Sequence, residues 1–497
     1  MTTLRRHAIT LIPGDGVGPE VALATKRVLD AAAATAGVAF DWEEAEAGAE
    51  VFKKGDTSGV PKATRDSIER TRVALKGPLE TPVGFGEKSA NVTLRKLFET
   101  YANVRPAREL PGVPTRYKGE GINMVIVREN VEDLYAGIEH LQTHDVAQAD
   151  KLISRTGSEK IIRFAYELAL REGRHKVTTA SKANILKFTE GLFKQIGEDL
   201  GKEYPSIEAN HLIIDNVAHQ MVKDPAQFDV VVATNLHGDI ISDLASGLVG
   251  GLGFASSANY GDGVAIFEAV HGSAPKYAGK NVINPTALVL SAAMMLRHIG
   301  ELDLADQVED AVLATLEDGK SIPQDVVRQQ GGDVEAATST SGFADAVIES
   351  LGSRPTTVPA AASRPRPVDV KPHARWTSGE AREREVGHAR VVGLDLFLQS
   401  LMAPAELGAK LSALAGQELT LKMIESKGTV VWPNAAPAFD PTGLFRARFL
   451  ARADGSDLPD ETLLALAARV AGVAPWVHLE KLRVWGSEEG FTRAQGE

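Results

Sequence analysis

The sequence predicts a layered α/β protein with much parallel strand pairing, then a proline-rich linker and a smaller α+β domain. Three observations carry this reading. Short β-branched apolar runs alternate with amphipathic helical stretches through roughly the first 350 residues. The composition breaks at Gly352, and near Arg390 a second folded pattern begins in the order β-α-β-β-α-β. A length of 497 residues calls for two or three domains, and 43% hydrophobic with 24% charged residues is the balance of a soluble globular protein.

Composition excludes several classes. The chain has no cysteine, so disulfides, thiolate metal sites and a cysteine nucleophile are out, and a reducing, cytoplasmic setting is expected. Met1 to Pro13 reads as a first strand rather than a signal peptide. No apolar run is long enough for a membrane span. The net charge of −12 argues against general nucleic-acid binding, so an anionic ligand needs a local basic pocket.

In chain order, His7 to Ile12 is a strand and Val21 to Ala34 a helix, joined by the turn Pro13-Gly-Asp-Gly-Val-Gly-Pro-Glu20. The spacing Gly14-x-Gly16-x-Gly18 is not Gly-x-Gly-x-x-Gly, which weakens a dinucleotide-loop reading. Strands follow at Val73 to Leu75, Met124 to Val127, Lys176 to Ala180, His211 to Ile214 and Val230 to Ala233. Helices are expected at Ser158 to Arg171, Ile185 to Leu200 and Pro285 to Ile299, the last apolar enough to be core. Beyond the Pro- and Ala-rich stretch 353–368, strands are expected at Val391 to Leu398, Leu444 to Ala451 and Val477 to Val484. Helices are expected at Pro404 to Leu414 and Pro459 to Ala471, and a hairpin at Leu419 to Trp432 around Ser426-Lys-Gly428. This is a ferredoxin-like order with one extra short strand. From Val391 onward ten Lys and Arg stand against thirteen Asp and Glu, a net of −3 that does not favour nucleic acid on this sheet.

Two constellations carry chemistry. In Asn235-Leu-His-Gly-Asp-Ile-Ile-Ser-Asp243, helical spacing puts Asp239 and Asp243 on one face. Alone, a cap at Asp239 and a dipole-stabilised Asp243 explain them as well as a function does. Asp215, at the end of another apolar run, makes a third acid, and such a set suits a hard divalent cation with oxygen ligands. The second constellation is Arg95, Arg105 and Arg128 on three consecutive elements, with Ser89 and Asn91 upstream. Arginine forks match carboxylates in two-point geometry, so these read as a carboxylate-binding pocket.

Together with Val127-Arg-Glu-Asn-Val-Glu-Asp-Leu-Tyr-Ala-Gly137, Thr179-Ala-Ser-Lys-Ala-Asn184 and the Asp239 stretch, these motifs make the sequence resemble the isocitrate dehydrogenases of the isocitrate/isopropylmalate dehydrogenase family. The resemblance spans about residues 5 to 350 and is strongest to the longer bacterial type with an extra C-terminal domain. It implies a fold that is not a Rossmann fold, in agreement with the failed glycine match. It also implies a large domain (1–100 and 250–351), a small domain (101–249) with a dimer clasp near 133–154, a linker (352–389) and a C-terminal domain (390–497). The active site lies in the cleft and is completed by the second subunit of a homodimer.

Carried over by position, the resemblance implies that Arg95, Arg105 and Arg128 clamp the substrate carboxylates, while Ser89 and Asn91 recognise the γ-carboxylate. Asp239 and Asp243 with Asp215 of the other subunit bind Mg2+ or Mn2+. Tyr135 and Lys182 form the proton-transfer pair, with nearby arginines and metal lowering the pKa of the lysine. Thr81, His271, Gly272, Lys276, Tyr277, Asn284 and Arg328 bind NADP, with Lys276 and Tyr277 on its extra phosphate. Two positions depart from the NADP pattern: Asp224 stands where an arginine is frequent, and Gln324 where a tyrosine is. The implied activity is oxidative decarboxylation of isocitrate in the tricarboxylic acid cycle. The rivals are a dehydrogenase of the same fold for isopropylmalate, homoisocitrate or tartrate, and a non-catalytic regulatory subunit. Ser89 and Asn91 argue against the first, since they suit a carboxylate rather than an alkyl group. A complete set of site residues argues against the second.

Overall fold

A computed structural model describes residues 4–80, 89–361, 389–434 and 442–493. The chain divides into two compact units, Met1–Ala136 with Lys151–Arg375, and Gly137–Asp150 with Trp376–Glu497.

Twelve strands precede residue 350 among the described residues. They are β1 (Arg5–Ile12), β2 (Val38–Glu44), β3 (Val73–Lys76), β4 (Ala102–Arg108), β5 (Asn123–Glu129), β6 (Glu139–Thr143), β7 (Val146–Ala149), β8 (Lys176–Ser181), β9 (Glu208–Ile213), β10 (Val230–Ala233), β11 (Ser256–Tyr260) and β12 (Ala265–Ala269). Ten of them form the sheet of the first unit, in the order β2-β1-β3-β12-β11-β4-β5-β10-β8-β9. Pairing is parallel from β2 to β12, antiparallel through β11 and β4 to β5, and parallel again to β9. One continuous sheet therefore joins two βα-wound halves through antiparallel strands, an arrangement foreign to a Rossmann fold.

Helices cover the sheet as their apolar stripes dictate. Val21, Val28 and Leu29 of the Gly18–Ala36 helix are fully buried, with β1, β3, β12 and the Thr286–His298 and Leu302–Asp318 helices in the same core. The Arg155–Glu172 and Thr189–Gly201 helices pack over β5, β8 and β10. The Ile214–Lys223 and Asn235–Leu248 helices form another core with Met124, Ile126 and Val231. Gly37, at φ +64°, ends the first helix in the left-handed conformation glycine favours. β2 was missed because it is an edge strand whose polar residues (Asp41, Glu43, Glu44) hide any apolar run. The helix expected from Ile185 begins only at Thr189, leaving Ile185, Leu186 and Phe188 exposed before it. The strand expected to reach Ile214 stops at Ile213, so Asp215 sits in the first turn of the Ile214–Lys223 helix.

Residues just beyond Gly352 are not free of contacts. The Thr356 and Thr357 amides donate to Glu317 at 2.8 and 2.5 Å, and the Ala361 amide donates to Asp310 at 2.5 Å. Val358 packs on the core and Ala361 is buried, so this strap lies along the Leu302–Asp318 helix.

The second unit holds the β6–β7 hairpin and an antiparallel sheet of β13 (Arg390–Gln399), β14 (Leu419–Ser426), β15 (Thr429–Trp432), β16 (Leu444–Ala451), β17 (Trp476–Trp485) and β18 (Glu488–Glu489). Its order, β15-β14-β16-β13-β17-β18, with helices Pro404–Leu414 and Asp460–Ala471, is the ferredoxin-like arrangement extended by one short strand at each edge. Leu394, Leu396 and Leu398 alternate into a core with Phe445, Phe449, Leu407 and Leu466. On the opposite face Asp395 and the buried Arg448 make a two-point pair at 2.9 and 2.8 Å.

Candidate active site

The Asn235–Leu248 helix leaves β10 through Thr234, so Asp239 lies in the second turn and does not cap it. A Cβ on Gly238 would fall 2.8 Å from the Arg128 side chain, which is why glycine lets this helix rest on β5. β4 and β5 run antiparallel with Asn103 opposite Arg128 and Arg105 opposite Ile126, which puts both arginines on one face. Arg128 Nη1 donates to Asp239 Oδ1 at 2.5 Å, and Arg105 Nη1 lies 3.2 Å from the same oxygen and 3.5 Å from Asp243 Oδ1. The Tyr135 phenol donates to Asp239 Oδ2 at 2.6 Å, its ring under the Arg128 guanidinium.

Arg95, on the Ala90–Leu97 helix, donates to Glu268 at 3.1 Å. Together with Ser89, Asn91, His271 and Gly272, these groups line one cavity of about 290 Å3. Three of its buried polar atoms, Asn91 Oδ1, Arg95 Nε and His271 Nε2, have no hydrogen-bond partner among the described residues. Buried polar groups are normally satisfied, so these mark where a polar ligand fits. Burial first, then Arg105 and Arg95, pull the Arg128 guanidinium down to about 9. An anion would relieve that crowding. Burial alone would raise the Asp239 carboxyl, but Arg128 and Arg105 hold it below its usual value. Burial lifts the Asp243 carboxyl, with only partial offset from Arg105. Two neighbouring all-oxygen donors, one ionised and the other with a half-exposed side chain, fit a hard divalent cation.

Sequence reasoning missed the polar layer beneath this cavity. Lys76, buried at the end of β3, pairs with Glu268 of β12. Asn259 donates to Glu268 at 2.8 Å and accepts from Asn103, whose own oxygen accepts from Arg105 Nε at 2.6 Å. The available signal was a charged residue set inside each of two apolar runs, Val73-Ala-Leu-Lys76 and Ala265-Ile-Phe-Glu268.

The chain does not bring every expected residue to this cavity. Lys182, just after β8, pairs with Asp215 at 2.5 Å. Asp215 stays apart from Asp239 and Asp243: among the described residues no three His, Cys, Asp or Glu side chains converge as a metal site. Within one chain the arginines therefore surround Tyr135 and Asp239, not Lys182.

Of the expected cofactor residues, His271 and Gly272 line this cavity, while Lys276 and Tyr277 lie further along the same loop, near Arg328 of the Gln324–Gln329 helix. The Lys276 ammonium lies 4.9 Å from the centre of the Tyr277 ring. A bond from Arg328, then the charge of Lys276, lowers the Tyr277 phenol. Gln324 accepts from Arg328 at 3.4 Å, and Asn284 donates to Asp325 at 3.1 Å. Asp224 ends the Ile214–Lys223 helix and makes no hydrogen bond or ion pair with this cluster. Thr81 lies outside the described residues. The glycine turn supports the loop from below: Val17 N donates to Ser273 O at 2.9 Å, and a Cβ on Gly16 (φ +58°) would lie 2.0 Å from that oxygen.

Residues 8–347 match the isocitrate/isopropylmalate dehydrogenase family. The chain belongs to that family. Residues 389–497 match the C-terminal domain of bacterial isocitrate dehydrogenase. Among relatives in this isocitrate/isopropylmalate dehydrogenase family, the chain is 54% identical to isocitrate dehydrogenase [NADP] of Thermus thermophilus, over 99% of this chain and 96% of that protein. It is 45% identical, over 67% of this chain and 93% of the relative, to the mitochondrial isocitrate dehydrogenase [NAD] subunit alpha of Macaca fascicularis. A crystal structure of a Thermus thermophilus protein, 54% identical, superposes with a TM-score of 0.91 over 99% of this chain and 96% of that one.

Proposed function

We propose that this protein oxidises and decarboxylates isocitrate to 2-oxoglutarate and CO2, with NADP and Mg2+ or Mn2+, as a step of the tricarboxylic acid cycle. The carrying observation is the cavity in which Arg95, Arg105, Arg128, Asn91 and Tyr135 meet beside Asp239. The arginines clamp two substrate carboxylates, and Ser89 and Asn91 take the third. Clamping fixes the alcohol carbon against the hydride acceptor and excludes water from it. Tyr135 would return a proton to the carbon that CO2 leaves, and Lys182 of a second copy would take the hydroxyl proton. Asp239, Asp243 and Asp215 would hold the divalent ion, which when bound supplies Lewis-acid polarisation of the substrate oxygen. Lys276, Tyr277 and Arg328 would hold the NADP phosphate. Asn284, His271, Gly272 and Thr81 would complete the cofactor site.

Lys182 and Asp215 act in the cleft of a second copy. Around them Ile185, Leu186, Phe188, Val222 and Ile240 are exposed, an apolar surface suited to a homodimer. Among the described residues no helix is long and apolar enough to cross a membrane. A homodimer that works in the cytoplasm is our reading.

The test is absorbance at the reduced-nicotinamide band with Mg2+ and each cofactor, offering isocitrate and isopropylmalate separately. Turnover with isocitrate and NADP is expected. Turnover with isopropylmalate alone would overturn the assignment.

A further inference from the structure

We propose that Lys151 is a positioning residue that fixes the Tyr135 turn, the Lys182 loop and the start of the Asn235–Leu248 helix against one another, through Asp133 and Glu190. The proposal rests on the reading of Tyr135 and Lys182 as the proton-transfer pair. Lys151 lies outside the cavity and touches no residue of the carboxylate clamp.

The geometry converges on a single ammonium group. Lys151 Nζ lies 2.8 Å from Glu190 Oε1 and forms an ion pair with Asp133. Both carboxylates are fully buried. Asp133 stands two positions before Tyr135, and its other oxygen accepts from the Leu236 amide at 2.9 Å, three positions before Asp239. Glu190 Oε2 accepts from the Lys182 amide at 3.0 Å. Glu190 Oε1 accepts from Thr234 Oγ1 at 3.2 Å, and His237 Nδ1 is 3.5 Å from the same carboxylate. Burial alone would raise the Glu190 carboxyl, but bonds from His237 and Lys151 hold it at about 2. One cation thus joins three segments, each next to a residue assigned to the chemistry.

A purely structural role fits these contacts less well. A buried ion triad is weak support for stability, and well-packed apolar side chains usually do as well. Here every contact of the carboxylates other than Lys151 and His237 goes to a backbone amide or hydroxyl flanking the site. Asp133 also adopts φ +64°, a left-handed conformation that a non-glycine residue keeps only where its surroundings over-determine it. Its amide donates to Leu152 O at 2.8 Å, locking the turn next to Lys151 itself. An ammonium with three rotatable donors can serve both acids, whereas the flat fork of arginine serves them less evenly.

The full-length enzyme with NADP and Mg2+ tests this in two assays. One is kcat and KM for isocitrate. The other is entry of deuterium from D2O into C3 of 2-oxoglutarate, followed by NMR, which reads proton transfer without hydride transfer. Lys151→Met should lower kcat and exchange together by about 100-fold, the cost of a displacement near 1 Å, with KM little changed. Lys151→Arg should recover part of the loss. If Lys151→Met does not fold, Asp133→Asn/Lys151→Met/Glu190→Gln removes the three charges together and should show the same loss. A folded Lys151 variant with wild-type kcat and exchange, beside Tyr135→Phe and Lys182→Met proteins that have lost both, overturns this inference alone. Full exchange in Tyr135→Phe or Lys182→Met would bring down the proton-transfer reading, and this inference with it.

Discussion

Tyr135 and Asp239 share a 2.6 Å hydrogen bond although they lie on different elements, a 3-10 turn after β5 and the helix after β10. The bond fixes the phenol at the mouth of the arginine clamp, beside the carboxylate assigned to the metal. Tyr135→Phe keeps the ring under Arg128 and removes only the hydroxyl. We expect kcat to fall by about 10²- to 10⁴-fold, the usual worth of a positioned acid. A higher KM with unchanged kcat would make the tyrosine a packing group.

Metal dependence follows from Asp239 and Asp243. Enzyme stripped with EDTA should be inactive until Mg2+ or Mn2+ is added. Asp243→Asn should raise the metal concentration for half-maximal rate by at least about tenfold while the fold persists. Full turnover in stripped enzyme would sink the assignment.

Lys182 and Asp215 pair with each other, and on the proposed reading both act in the cleft of a second copy. Arg105→Ala and Lys182→Met proteins should each be nearly inactive. Mixing them under subunit exchange should restore activity, because some heterodimers regain one complete cleft. No recovery, with exchange verified by mass spectrometry, would point to a self-contained site.

Cofactor preference is expected to rest on Lys276, Tyr277 and Arg328. A charge-assisted hydrogen bond is worth about 1.5–3 kcal/mol, so two of them favour NADP by roughly two to four powers of ten. Gln324 in place of a tyrosine puts this protein toward the lower end. Lys276→Asp with Tyr277→Ile should reverse the preference, read as kcat/KM for NADP and NAD at fixed salt. An unmodified enzyme that prefers NAD would refute the assignment of these residues.

The strap over the Leu302–Asp318 helix sets where the catalytic region ends. A chain stopped after Ala361 should fold and reduce NADP. One stopped at Gly352 loses three amide-to-carboxylate bonds and the burial of Val358 and Ala361. We expect its melting point to lie lower by roughly 5 °C. Equal melting points would show that the strap adds nothing.

Much of this site was legible, and what was hidden has definite causes. Asp239 and Asp243 announce themselves by helical spacing. Arg105 and Arg128 are visible as arginines, but only the antiparallel β4–β5 register puts them on one face. Lys76 and Glu268 were passed over because a charge inside an apolar run reads as the exposed side of a strand, whereas here each neutralises the other. Lys151 sits in a polar stretch and reads as solvated. Its partners lie 18 and 39 positions away along the chain, beyond any local pattern. The exposed Ile185, Leu186 and Phe188 fit a helical period, yet no packing against their own chain draws them into the helix.

The glycine turn at Gly16 and the loop at Ser273 also impose an order on synthesis. β3 pairs directly with β12, so the first strands made must wait for a partner roughly 200 positions downstream. At ribosomal speeds of about 5–20 residues per second, that is a delay of roughly 10–40 seconds. During it the sides of Ile9, Leu11 and Leu75 that will face Phe267 and Leu288 stay uncovered. Slow translation near residue 265 would prolong that exposure, and a faster passage through it would shorten the time in which the open face can make wrong contacts.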